Sequence, residues 1–198
     1  MASENSELLR AVEGKTVTKI PDLEEVQMSS LWEDQTVVIN YFRSKIAPLL
    51  RAHNIRLIGI GLEEIGYQEF LEKKYFDGDI FLDTNHEQYK ALGYKTYNIC
   101  NICCAVCCSA DVKRVSAEGK KNNIKNNWKG NGLQMGGTLI VEKGGKRVIL
   151  SYKMKGLADH LDNSKILQAL NIDENAPISD IKSAIITQPE NVSVSGDT

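Results

Sequence analysis

At 198 residues, 42% hydrophobic and 25% charged, the chain suits one principal hydrophobic core rather than a string of domains. A net charge of -2 and a pI near 6 exclude a general electrostatic pull toward nucleic acid or anionic membrane, so no nucleic-acid partner is expected. No run approaches ~18 consecutive apolar residues, so no membrane span is expected, and the opening MASENSELLR is polar where a signal peptide would be apolar; the expected location is the cytosol.

In chain order, residues 1–30 read as an N-terminal extension, in which EGKTVTKI and its Glu-Gly-Lys turn suggest a small hairpin laid beside the main sheet. SSLWED at 29–34 reads as a capped turn with Leu31 and Trp32 as core anchors. VVINYF at 37–42 is nearly apolar and rich in β-branched residues, the signature of a strand covered on both faces, and RLIGIG at 56–61 reads as its parallel neighbour. Only thirteen residues, RSKIAPLLRAHNI, join the two, close to the shortest crossover a parallel pair can use. Ile46, Leu49, Leu50 and His53 fall at helical spacing there, with Pro48 tolerable near a first turn.

The segment 62–76 places Ile65, Phe70, Leu71 and Tyr75 on a helical stripe. GDIFLD is a short strand ending in Asp83, and TNHEQYKALGY reads as a helix capped by Thr84 or Asn85, with Tyr89, Leu92 and Tyr94 facing inward. TLIVEKGGKRVILSYK at 138–153 is a hairpin whose Gly144 and Gly145 supply positive φ angles at the loop. A last helix near Ser164–Leu170 follows, and residues 173–198 read as a mostly disordered tail. Alternating β and α elements followed by a hairpin predict an α/β fold over residues 31–172: a thioredoxin-like mixed sheet with flanking helices and a shortened first crossover helix.

Several blocks carry a family resemblance. RLIGIG, GYQEFLEKKYFDGDIFLDTNHEQYKALGYKTYN and NGLQMGGTLIVEKGGKRVILSYK resemble the peroxiredoxin-like branch of the alkyl-hydroperoxide-reductase and thiol-specific-antioxidant superfamily, within it the prostamide/prostaglandin F synthase group. The resemblance implies a thioredoxin-like fold, reduction of prostaglandin-type lipid endoperoxides, NADPH as ultimate electron donor with no cofactor bound, a thioredoxin and reductase system as redox partner, and a working Cys-x-x-Cys pair just after the first central strand.

At that place the chain departs from the group. Tyr41-Phe42-Arg43 runs directly into Ser44-Lys45-Ile46, with no cysteine, as if one exon-sized piece were absent from a splice or gene-model variant. A cysteine at a helix N-terminus is held as thiolate by the macrodipole and free N–H groups, and the thiolate is what attacks an O–O bond. The resulting sulfenic acid is resolved by a second thiol to a disulfide. No catalytic residue can therefore be assigned to a numbered position, and this chain is expected to have little or no such activity.

All five cysteines lie within positions 100–108, odd in number and too clustered for a secreted disulfide framework, which fits a reducing compartment and makes the sequon at 191–193 accidental. Cys-x-x-Cys spacing occurs twice, at Cys100/Cys103 and Cys104/Cys107, the redox candidates of the sequence. The stretch from Ile99 to Cys108 has only Asn101 as a polar side chain, so burial as small hydrophobes competes with a redox pair, and acylation or metal binding is a third reading. His53, His86 and His160 lack motif-like partners and are not near the cysteines in sequence, which weakens a zinc site. Lys113, Arg114, Lys120, Lys121, Lys125 and Lys129 form a basic stretch read first as a solvated loop, with binding of an acidic lipid head, a nucleotide phosphate or RNA as the other readings. Two alternatives to an impaired reductase remain: a non-catalytic lipid- or protein-binding regulatory variant, and a redox sensor acting through the cysteine cluster.

Overall fold

The computed structural model describes residues 2–40, 46–62, 67–72, 76–97, 134–156 and 159–174. Seven strands form one mixed sheet: β1 (Thr16–Ile20), β2 (Glu24–Gln27), β3 (Thr36–Asn40), β4 (Ile55–Gly61), β5 (Asp79–Leu82), β6 (Gly137–Val141) and β7 (Val148–Lys153), in spatial order β2-β1-β5-β4-β3-β6-β7. The helices are α1 (Ala2–Glu13), α2 (Ala47–Ala52), α3 (Tyr67–Glu72), α4 (Glu87–Ala91) and α5 (Asn163–Ala169). Strands β3, β4 and β5 run parallel, β6 lies antiparallel to β3 and β7 antiparallel to β6, as the alternating pattern followed by a hairpin requires.

The apolar run of β3 is explained by burial on both sides. Val37 and Ile39 point into a core shared with Leu9 and Val12 of α1, Ile58, Ile60, Phe81, Leu139 and Val141; Val38 points into a second core with Leu49 and Leu50 of α2, Leu57, Ile140, and Ile166 and Leu167 of α5. Strand period two divides one sequence between two cores.

The crossover between β3 and β4 is as short as its sequence implied. Helix α2 has six residues, with Pro48 in its first turn and Ala47, Leu49, Leu50 and Ala52 buried; His53 ends it, half-buried, with its Nε2 enclosed and unbonded.

Three local expectations need correction. Glu13-Gly14-Lys15 is not the hairpin turn; it ends α1, a helix the sequence reading did not anticipate, and the hairpin turns at Pro21–Leu23. That hairpin is not merely beside the sheet, because β1 pairs with β5 and extends it. The α4 cap is neither Thr84 nor Asn85. The Asp83 carboxylate accepts the N–H groups of Glu87, Gln88 and Tyr89 at 2.9, 2.8 and 3.2 Å, because it emerges from β5 directly beneath the free end of the helix.

Leu31 and Trp32 are buried as expected, and so are Tyr89, Leu92 and Tyr94. Gly144 and Gly145 have φ of 72° and 65° in the loop between β6 and β7, and Gly145 lies so close to Trp32 that a Cβ there would meet the indole Nε1 at 2.9 Å. Helix α3 occupies part of the 62–76 stripe with Leu71 half-buried; Ile65 and Tyr75 and the Phe70 side chain lie outside the described residues, as do Tyr41 and Phe42 and the tail from 175.

Candidate active site at the carboxyl end of β3

In parallel α/β sheets ligands bind beyond the carboxyl ends of the strands, where helix N-termini and loop backbone converge. Here that edge is marked by one transverse row of the sheet: Gly59 of β4, Asn40 of β3, Thr138 of β6 and Tyr152 of β7, each paired with the next. Asn40 and Thr138 are only 6% and 3% exposed, two polar residues on the face otherwise occupied by the apolar α2 and α5 core. A buried polar side chain where alternation places an apolar one marks a change of task along the strand.

The entrance to β6 closes the site from one side. Met135 donates its N–H to the Lys95 carbonyl at 2.8 Å, and Met154 donates to the Gly136 carbonyl at 3.0 Å. Gln134 receives the Thr96 hydroxyl at 2.6 Å and turns its amide nitrogen toward the carbonyls of Lys95 and Met135, at 3.2 and 3.0 Å. Gly137 is required by proximity: a Cβ there would lie 2.1 Å from the Tyr152 carbonyl and 2.8 Å from the Tyr94 ring. Gly136 thus precedes β6 and Gly137 opens it, and the sequence has no proline at this entrance.

Aromatic and acidic groups line the flanks. Tyr94 packs edge-on against Tyr89 with centroids 5.7 Å apart, and the Tyr89 hydroxyl donates to the Ile60 carbonyl at 3.0 Å. Burial, Tyr94 and Asp83 together hold the Tyr89 phenol well above its ordinary pKa, so it stays a neutral donor. On the other flank Tyr152 donates to Asp159 Oδ1 at 2.5 Å, and Asp159 Oδ2 accepts the Lys155 N–H at 2.8 Å. Burial and then the Asp159 bond raise Tyr152 to about 12, while the same bond and the Lys155 N–H hold Asp159 below its usual range. His160, next in sequence, is pushed down by burial against the opposing pull of Asp159.

This edge gathers buried polar side chains, and its central connection supplies no thiol. Between Asn40 and Ala47 the sequence reads Tyr41-Phe42-Arg43-Ser44-Lys45-Ile46, and a six-residue helix presents little of the field that activates a cysteine. Cys100, Cys103, Cys104 and Cys107 lie outside the described residues, and so does the basic stretch 113–129. Among the described residues no three His, Cys, Asp or Glu side chains converge as a metal site, and no helix is long and apolar enough to cross a membrane. Asn40, Thr138, Tyr152 and Asp159 were not singled out from sequence. The signal available was an Asn ending VVIN and a Thr opening TLIV, polar residues at the ends of two apolar runs.

The sequence model of the AhpC/TSA antioxidant enzyme family matches residues 42–156, more than half of the chain. This chain belongs to that family. Among its relatives, the prostamide/prostaglandin F synthase of Homo sapiens is 37% identical over 171 residues, covering 79% of this chain and 86% of that protein, and that of Danio rerio is 37% identical over 166 residues, covering 77% and 82%. Among solved structures, peroxidoxin BcpB from Mycobacterium tuberculosis aligns over 79% of this chain and 91% of its own at 13% identity, with a TM-score of 0.49. The family membership and the observed sheet agree on a thioredoxin-like α/β fold of peroxiredoxin type, and the AhpC/TSA relationship makes the chain a thioredoxin-like member of an oxidoreductase family.

Proposed function

We propose that this chain is an AhpC/TSA-family protein of prostamide/prostaglandin F synthase type that retains the lipid-endoperoxide binding edge but is impaired in thiol-dependent reduction. The observation that carries this reading is positional: every cysteine falls at 100–108, and none lies between β3 and β4, where the resemblance puts the reactive pair. The relatives' name supports the substrate class.

In the active form of such chemistry, a thiolate attacks one endoperoxide oxygen, the O–O bond breaks, and the second oxygen leaves as an alkoxide that takes up a proton; a second thiol then attacks the sulfur of the sulfenate ester so formed, releasing the other hydroxyl of the diol product and leaving a disulfide. Electrons from NADPH then reach that disulfide through an external reductase, so the chain itself need hold no nicotinamide. Without the first thiol the sequence of steps has no entry.

The test is NADPH consumption with thioredoxin, thioredoxin reductase and a prostaglandin-type endoperoxide. The chain should give background rates, and a chimera carrying the human relative's β3–α2 connection should turn over. Activity of the unaltered chain that disappears when all five cysteines become serine would move the chemistry to the 100–108 cluster. Activity that survives those changes would refute a thiol mechanism.

A further inference from the structure

At the opposite end of the sheet from the candidate active site, α1 and the loop between β6 and β7 line a cleft of about 510 Å³. Asn5, Ser6, Leu9, Arg10 and Glu13 form one wall, and Lys146 and Arg147 stand on the other. The volume is that of a small-molecule site, for which pockets run roughly 300–1,000 Å³.

The loop that carries two of these cations is held in place before any ligand arrives. Glu142 donates its N–H to the Arg147 carbonyl at 3.0 Å, Gly145 donates to the Glu142 carbonyl at 2.9 Å, and Lys143 donates to the Thr36 hydroxyl at 3.2 Å. Gly145 rests against the Trp32 indole, at a distance only a residue without Cβ permits. Arg147 gives its Nε to Glu142 Oε2 at 2.9 Å, which fixes the guanidinium and leaves its terminal nitrogens for another acceptor. Among the described residues, Arg10 and Lys146 form no ion pair.

Arg10, Lys146 and Arg147 line one cleft with Glu13 as the single carboxylate in its lining and Glu142 paired to Arg147 from outside it, which leaves the cleft itself with an excess of positive charge for an anion to offset. Guanidinium groups match phosphate oxygens bidentately, and an ammonium adds a point charge. We propose that this cleft binds a phosphorylated small molecule, with Arg10, Lys146 and Arg147 on the phosphate oxygens and Leu9 against its apolar part. It is independent of the chemistry proposed at the β3 edge.

The probe is inorganic pyrophosphate, titrated calorimetrically against the full chain at low salt, with citrate as a carboxylate of comparable charge. Arg10→Ala and Lys146→Ala should each weaken pyrophosphate binding about tenfold, as loss of a charge-assisted contact does. Glu13→Gln should tighten it about threefold by removing the repelling charge. All three side chains are at the surface, so each variant is expected to keep the wild-type far-UV spectrum. Absence of saturable binding to the wild-type chain, equal affinity in the alanine variants, weaker binding by Glu13→Gln, or citrate binding as tightly as pyrophosphate would each overturn the assignment.

Discussion

The Asp83 carboxylate accepts the backbone N–H of Gln88 at 2.8 Å, yet the Gln88 side chain, fully buried, has no partner for either amide atom among the described residues. One residue holds the helix end in place and the other carries an uncompensated desolvation cost at the same spot. A buried unpaired polar group costs about 1–3 kcal/mol. Gln88→Leu or Gln88→Met should therefore leave stability unchanged or raise it by about 1 kcal/mol in denaturant melts, whereas Asp83→Ala, which strips three N–H groups of their acceptor, should lower it by about 2 kcal/mol.

Gly137 and Gly144 answer the same substitution for different reasons. Alanine at 137 must displace the Tyr152 carbonyl of the neighbouring strand and the Tyr94 ring, whereas alanine at 144 meets nothing within 4 Å and is opposed only by its φ of 72°. Gly137→Ala should cost roughly 2–3 kcal/mol and loosen the β6 entrance. Gly144→Ala should cost about 1–2 kcal/mol. Paired urea melts decide it; equal losses would mean that the approach of Tyr152 to Gly137 is not tight.

Tyr152 and Asp159 give the site flank a pH signature. The phenol's pKa is raised, so its contribution is present below about 10, the unfolded value, and fades as pH climbs toward about 12. Asp159 has the reverse sign: its pKa is lowered, so its contribution is complete above the unfolded carboxylate value and lost as pH falls through the folded one. Tyr152→Phe should remove one phenol from the late phase of an ultraviolet titration, leaving Tyr89 there, and move the Asp159 carboxyl, followed by NMR, upward. A Tyr152 that ionises at an ordinary value would refute the bond.

His160 adds a third phase. Burial favours its neutral form, so the protein gains stability from it above about 6.5 and loses that gain progressively as pH falls toward the lowered folded value. An NMR titration of the imidazole should give a midpoint below that of a free histidine, and a midpoint above it would show that the charge on Asp159 outweighs burial.

Much of the architecture was legible because the main strands obey simple periods. VVIN and RLIGIG were recognisable as buried strands from their nearly continuous apolar, β-branched runs, the helical crossover between them implied parallel pairing, and KGGK marked the β6–β7 loop. Helix α1 was not legible, because ASENSELLRAVE has a weak apolar face whose Leu9 and Val12 gain meaning only when β7 and α4 pack against it. Asp83 was taken as the end of a strand, and its role as cap depends on how the chain turns between β5 and α4, which no spacing rule encodes. The site edge was hidden for a similar reason: Asn40, Thr138 and Tyr152 are about a hundred residues apart in sequence across the first gap and meet only through strand pairing. The absent thiol, by contrast, was visible at once, since it concerns what the sequence contains between two recognisable strands.

The central claim is that reduction requires a cysteine between β3 and β4 and that this chain provides none there. Its most direct test is single-turnover reaction of the purified chain with a prostaglandin-type endoperoxide, followed by mass spectrometry of the intact protein and of its cysteine peptide. The account predicts unchanged endoperoxide and no sulfenic acid or new disulfide. Stoichiometric consumption of the endoperoxide with oxidation of a cysteine in the 100–108 cluster would contradict it.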